Sequence, residues 1–148
     1  MPPVPTGASV PGCHMQIDYL EPAPGEYRPG ACNIGPREIA KRRAFGIAGI
    51  VSSVVLGIVL VAIDAPQIAR AIVLIPLWGA IVSLEQARRK FCAGFAYAGI
   101  RSVSGLDATE SVADPADLAL DRAAARRLVA YCGAIALAIT AVFVLLPV

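Results

Sequence analysis

The sequence predicts an all-α integral membrane protein with three transmembrane helices and an extended, proline-rich N-terminal arm. Composition is the first reason, because 57% of the 148 residues are hydrophobic and only 16% are charged. The mean hydropathy, +0.66, is the second. A water-soluble domain of this length leaves too much of its surface exposed to hide so many apolar side chains. The excess apolar surface is therefore expected to face lipid or another protein.

Two apolar runs are long enough to cross a bilayer. The first comprises the twenty uncharged residues 44–63, and the last, at 128–148, is also uncharged and of similar length. At about 1.5 Å per helical residue, each run measures roughly 30 Å, which is the thickness of the hydrocarbon core. Both runs are predicted to be transmembrane helices.

The middle apolar run is shorter, because only the fourteen residues 71–84 lie between Arg70 and Glu85. That length also fits a buried or re-entrant segment. Positive charge favours a full span at about 67–84, since a crossing there leaves every Lys and Arg except Arg70 on one side. The positive-inside rule then predicts a multi-pass protein with a cytoplasmic N-terminus and an external C-terminus. The expected location is the bacterial inner membrane. Arg70 is expected to snorkel towards the outer headgroups, near Asp64.

Clusters of basic residues flank the three spans on the predicted cytoplasmic side. Such clusters resist translocation and are attracted to anionic lipid. The residues predicted to anchor the spans in this way are Lys41, Arg42, Arg43, Arg88, Arg89, Lys90, Arg126 and Arg127.

Residues 1–36 hold eight of the twelve prolines, so no regular core is expected there. Apolar side chains such as Ile17 and Leu20 favour an extended arm that lies along a partner, and a disordered tail is the competing interpretation. After the second span, residues 91–100 are expected to continue the helix along the interface, and 101–114 to form a loop. Asp114 followed by Pro115 has the pattern of a helix start and predicts one long helix over 115–148.

Small residues recur along the first and third spans. Gly49, Ser53 and Gly57 are spaced by four residues, Gly46 precedes them, and Gly133 begins a similar run in the third span. Small side chains allow helix backbones to approach closely in lipid. The pattern predicts helix packing, either within the hairpin or with other chains.

The stretch CNIGPREIAKRRAFG, followed by a second span that closes on a cysteine and a glycine, resembles the YgaP-like inner-membrane hairpin. That family is a two-helix domain found alone or after a rhodanese (sulfurtransferase) domain. Ala93 stands where the family usually has proline, and this sequence adds a third span and an arm without a rhodanese domain. The resemblance, over about residues 32–100, implies a hairpin that associates with itself or with other helices, and no sulfurtransferase activity. The matching positions are Asn33, Ile34, Gly35, Arg42, Gly46, Cys92 and Gly99.

Four residues near the predicted cytoplasmic side could in principle form a Cys3His zinc site: Cys13, His14, Cys32 and Cys92. Structural zinc sites usually begin with a C-x2–4-C pair, which this spacing lacks, so a metal site is a minor expectation. A redox pair of Cys32 with Cys92 is opposed by the reducing cytosol. The default expectation is that these cysteines, like Cys132 in the third span, are packing residues.

The sequence offers no group for catalysis or transport at mid-membrane, where a transporter would carry an ionisable residue. No cofactor is expected, although Trp78 near mid-bilayer could contact a partner, a pigment or a quinone. The leading expectation is a small, non-enzymatic accessory subunit of a larger inner-membrane complex. Its expected partners are membrane lipid, other integral membrane subunits or a second copy, and not nucleic acid. The alternatives are thiol, sulfur or metal handling through Cys32 and Cys92, and a small channel, for which a polar pore is missing.

Overall fold

The computed structural model describes residues 27–102 and 108–147, and within these ranges the chain is predominantly helical. Three helical segments are long and apolar enough to cross a membrane, judged by length and composition: Pro36–Ala62, Gln67–Arg89 and Pro115–Leu145. The predicted all-α membrane fold is confirmed. In chain order the elements are α1 (Pro36–Ala62), α2 (Gln67–Arg70), a 3-10 turn (Ala71–Val73), α3 (Leu74–Arg89), α4 (Ala93–Ala98), β1 (Ile100–Ser102), β2 (Thr109–Ser111) and α5 (Pro115–Leu145).

Helices α1 and α3 form an antiparallel hairpin. Gly46 faces Leu84, and Gly49 faces Ala80, so positions ascend along α1 as they descend along α3. Helix α5 packs against α3 and α4. The three basic clusters consequently meet at the end of the bundle where α1 and α5 begin and α3 ends, called the basic end below.

Local chemistry explains where the long helices begin and end. Helix α5 begins where the sequence predicts, since the Asp114 carboxylate accepts a hydrogen bond from the Ala116 amide at 2.8 Å and Pro115 occupies the first turn. Helix α1 likewise begins with a proline at its first position, Pro36. It ends before Asp64, whose φ of 51° is incompatible with continued right-handed helix.

The stretch that follows the second span differs from the expected helical continuation through residues 91–100. Lys90 adopts a left-handed conformation with φ 55° and ends α3, and the short helix α4 then begins after Cys92. Strands β1 and β2, which the sequence did not predict, pair antiparallel with Ile100 opposite Ser111. The physical reason is burial, because the turn places Phe91 and Cys92 in the interior instead of at the surface of a continuing helix.

Arg70 does not snorkel outward as expected, since only 4% of it is exposed. Its Nε donates to the Ala65 carbonyl at 3.2 Å and its Nη1 donates to the Leu146 carbonyl at 3.3 Å. Carbonyls at helix ends have no intrahelical partner, so a guanidinium is a suitable donor for them. Arg70 therefore ties the turn after α1 to the C-terminal end of α5.

We expect Gly49→Ala to destabilise the hairpin, because a Cβ at Gly49 would lie 2.8 Å from the Ala80 Cβ, which has no flexible end to move away. Overpacking of this kind costs on the order of 1–3 kcal/mol, measurable as a lower midpoint of thermal unfolding in detergent. Gly79→Ala is the matched control, because no atom lies within 4 Å of its added Cβ. Equal midpoints for the two variants would contradict the close approach of α1 and α3.

Candidate functional site

The basic end of the bundle carries a cap made of residues 27–35, α4 and the two strands, and this cap holds most of the polar tertiary contacts. Its first part is a tight turn, in which the Ala31 amide donates to the Arg28 carbonyl at 3.0 Å. Pro29 and Gly30 occupy the central positions, and Gly30 has φ 72°. Proline followed by a glycine with positive φ is the signature of a type II turn. The sequence RPGA thus specifies a rigid reversal immediately before α1.

This turn is held against α5 by one carboxylate. Asp121 is fully buried, and it accepts hydrogen bonds from the Gly30 amide at 2.5 Å and from the Tyr27 hydroxyl at 2.9 Å. The Arg101 guanidinium lies over the Tyr27 ring, 4.9 Å from its centroid. Burial and the hydrogen bond to Asp121 raise the pKa of Tyr27 above its usual range. The phenol therefore stays a donor up to alkaline pH, and the turn stays anchored.

Asn33 joins the segment before α1 to the segment after α3. Its side-chain amide donates to the Cys92 carbonyl at 3.0 Å, and its side-chain carbonyl accepts from the Cys92 amide at 2.6 Å. Its backbone amide donates to the Lys90 carbonyl, and its backbone carbonyl accepts from the Ser102 amide. Asn33 is only 3% exposed. It supplies the hydrogen bonds to the chain after α3 that a neighbouring strand would otherwise supply.

The motif NIGP follows from this geometry. Ile34 is buried, and a Cβ at Gly35 would lie 3.1 Å from the Ser102 hydroxyl, so a larger residue is disfavoured there. Pro36 then starts α1. Each position of the motif has a structural reason, whereas the sequence predicts all four residues to lie in the extended arm.

The thiol of Cys92 is fully buried beside a guanidinium. Arg42 Nη2 lies 3.1 Å from Cys92 Sγ, and the buried Arg42 Nε has no hydrogen-bond partner among the residues that the structure describes. Arg42, predicted to be a lipid anchor, is thus directed inward in part. Cys92 and Cys132 are free thiols, so Cys92 forms no disulfide with Cys32. Reagents reach this buried thiol only if the cap opens.

The structure describes two of the four predicted zinc ligands. Cys13 and His14 lie outside the described residues, while Cys32 and Cys92 are both buried in the cap. Among residues 27–102 and 108–147, no three His, Cys, Asp or Glu side chains are grouped closely enough to hold a metal ion.

The small residues predicted to mediate packing divide into two groups. Gly46 and Gly49 face α3, where a Cβ on either would overlap Leu84 or Ala80. Gly133 faces Trp78, whose Nε1 donates to the Val129 carbonyl at 3.3 Å. Ser53 and Gly57 instead line an apolar groove between α1 and α5. Gly46, Gly49 and Gly133 therefore pack against other helices of the same chain.

The remaining predicted anchors lie at the basic end and are largely exposed. Lys41 pairs with Glu38 at 2.7 Å, while Arg88 and Arg89 both pair with Glu85. Lys90 ends α3, and Arg126 and Arg127 project from the exposed side of α5. Exposed pairs of this kind contribute little to stability. Their positions fit contact with the membrane surface.

Sequence reasoning missed Asn33 as a tertiary contact and Asp121 altogether. Asn33 carried no signal beyond its place in the motif. Asp121 did carry one, because it shares a helix face with the buried residues Ala125, Leu128 and Cys132. A charge in register with an apolar stripe indicates a buried, partnered side chain.

These features define the chain as a three-helix integral membrane protein with a polar cap at one end. No protein-family model, curated protein or solved structure matches it. The likeness to YgaP-like hairpins remains an expectation from short motifs.

We expect Asn33→Ala to destabilise the cap, because it leaves the buried Cys92 amide without an acceptor, while the Cys92 carbonyl keeps the Ala96 amide as its donor. A buried amide without a partner costs about 1–3 kcal/mol, and the thermal midpoint should fall accordingly. Lys41→Ala, which breaks only an exposed ion pair, should change the midpoint little. An Asn33→Ala variant as stable as Lys41→Ala would disprove the structural role of Asn33.

Proposed function

We propose that the chain is a small, non-enzymatic subunit of a bacterial inner-membrane complex, with its cap in the cytoplasm and its C-terminus outside. All Lys and Arg residues except Arg70 lie at or near the basic end, which supports this orientation by the positive-inside rule. The residues of α1 and α5 that face away from α3 are apolar and exposed, among them Val55, Ile58 and Val142. These surfaces suit lipid and the helices of other subunits.

The observation that carries the proposal is the anchored root of the N-terminal arm. Asp121 holds residues 27–30 against α5, so the point at which residues 1–26 join the described structure is fixed at the basic end. Residues 1–26 contain six prolines and apolar side chains such as Ile17 and Leu20. A proline-rich chain of that length reaches at most about 80 Å when fully extended at 3.1 Å per residue. A rigid root with an apolar arm suits attachment to a neighbouring subunit at the cytoplasmic surface.

We expect the arm to determine partner retention. The tagged, full-length chain should co-purify with integral membrane proteins in mild detergent, and replacing both Ile17 and Leu20 by Asp should remove them, because the charges oppose burial of the arm. Ser9→Asp is the control, since it adds charge at a polar position of the same arm. Quantitative mass spectrometry measures the retained proteins.

The thermal midpoint shows that the variants are folded. Retention that is unaffected by the double substitution would contradict docking through the arm, and a wild-type chain that purifies as an isolated monomer would contradict the subunit proposal itself. Recovery of only further copies of the chain would redirect the proposal to a homo-oligomer.

A second candidate function, thiol or sulfur handling, is favoured by the contact between Arg42 and Cys92. A cationic neighbour is a feature of reactive cysteines. The burial of Cys92 opposes this candidate, because a substrate must first displace part of the cap.

Thiol labelling separates the two candidates. With Cys132 replaced by Ser and the disulfide-bonded Cys32 left in place, we expect Cys92 in the folded protein to react with a small methanethiosulfonate reagent at least about tenfold more slowly than after denaturation without reductant, because burial restricts access. The modified fraction is counted by intact mass. Rapid modification of the folded protein, slowed by Arg42→Gln but not by Arg43→Gln, would instead favour thiol chemistry.

A further inference from the structure

Cys32 is one half of a disulfide. Cys92 and Cys132 are free thiols, and the chain contains four cysteines in all. Within one chain, the remaining cysteine, Cys13, is therefore the candidate partner of Cys32. Cys13 itself lies outside the described residues, so the pairing follows by elimination.

The described half of this bond is firmly held. Cys32 is only 5% exposed. Its amide donates to the Arg28 carbonyl at 3.0 Å, and its carbonyl accepts from the Arg28 amide at 2.9 Å. These bonds close the turn that Asp121 fastens to α5 through the Gly30 amide, while the next residue, Asn33, is bonded to the chain after α3. A disulfide at Cys32 therefore ties the arm to a point that two parts of the bundle hold in place.

The bond limits how far the arm can reach. Without it, the backbone alone attaches the arm at Tyr27, and Ile17 can lie up to about 30 Å away at 3.1 Å per residue. With it, Ile17 lies at most about 12 Å along the chain from Cys13. The Cα atoms of a disulfide are in turn roughly 5.5–6 Å apart. The bond thus keeps the apolar residues of the arm close to the cap.

The proposed cytoplasmic position of the cap makes such a bond reversible. Cytosolic glutathione and thioredoxin keep thiols reduced, and the disulfides that do form there are usually transient or redox-sensing. Oxidised glutathione oxidises a dithiol through a mixed disulfide. Two protein thiols then lose two electrons and two protons, one protein disulfide forms, and the glutathione disulfide is cleaved to two thiols. Excess reduced glutathione drives the same exchange backwards.

We propose that Cys13 and Cys32 form a redox switch of the N-terminal arm. Oxidation of the pair closes the eighteen residues 14–31 into a loop held at the cap, and reduction releases the arm to contact a partner subunit. The switch rests on the proposed function, because it takes the arm as the docking element and the cytosol as its compartment.

Trypsin separates this pair from the other cysteines. Arg28 is followed by proline and resists cleavage, so the first tryptic peptide comprises residues 1–37, with Cys13 and Cys32 as its cysteines. The C-terminally tagged, full-length chain is expressed in bacteria, thiols are blocked with N-ethylmaleimide at lysis, and the peptide mass is measured. We expect two maleimide groups on the peptide from unstressed cells. After treatment with the thiol oxidant diamide, we expect none, and a mass two hydrogens below that of the dithiol.

Cys13→Ser is the test variant, and Cys132→Ser, which removes a free thiol outside the pair, is the control. Peptide 1–37 of Cys13→Ser should form no internal disulfide after oxidation, whereas Cys132→Ser should behave as the wild type. Two blocked thiols after oxidation, or a disulfide joining Cys32 to another peptide, would overturn the pairing. A disulfide already complete in unstressed cells would overturn the switch and contradict a cytoplasmic cap.

Retention of partner proteins is measured separately, in mild detergent. The wild type should lose most of its co-purifying membrane proteins after oxidation, while Cys13→Ser should keep them, because its arm cannot be bonded to Cys32. Equal retention by the two oxidised proteins would overturn control of the arm by the bond. Failure of the reduced wild type to retain any protein would refute the subunit proposal, while the mass of peptide 1–37 would still decide the pairing.

Discussion

The structure depends on the pairing of Asn33 with Cys92. Membrane-spanning helices satisfy their own backbone groups, but the chain must leave the helical conformation at Lys90 to bury Phe91 and Cys92. The buried amide of Cys92 then donates to the Asn33 side-chain carbonyl, and the Cys92 carbonyl, which also accepts from the Ala96 amide, accepts from the Asn33 side-chain amide. The same contact fixes the start of α1 relative to the end of α3 and places Arg42 beside the Cys92 thiol.

The long elements could be predicted from sequence because their determinants are local. An uncharged run of about twenty residues identifies a span, and Asp114–Pro115 identifies a helix start from neighbouring residues alone. The left-handed Lys90, the pairing of β1 with β2 and the contacts of Asn33 depend on residues far apart in the chain. Arg70 shows the same limit, since its acceptor at Leu146 lies in another helix. A charge near a span end predicts snorkelling only when no such carbonyl is within reach.

The small-residue pattern of α1 shows how one sequence feature can serve two purposes. Gly46 and Gly49 contact α3, because any Cβ there would meet Leu84 or Ala80. Ser53 and Gly57 continue the same spacing but lie where α5 packs on α3 and not on α1, so their small size leaves space. The spacing predicts a surface of close approach, and Gly46 and Gly49 lie against α3 while Ser53 and Gly57 line the groove. The position of α5 determines which part of this face of α1 is covered by the chain itself.

That position is in turn set by polar contacts spaced along α5. Asp121 holds it to the cap, Trp78 donates to the Val129 carbonyl near its middle, and Arg70 donates to Leu146 at its end. Trp78 and Arg70, both on the second span, donate to backbone carbonyls of α5 or its C-terminal end, so neither the indole nor the guanidinium is left unpaired in hydrocarbon. The groove between α1 and α5 is therefore a consequence of fastening α5 to the second span at both levels, while Phe143 on α5 lies against Gly57 of α1.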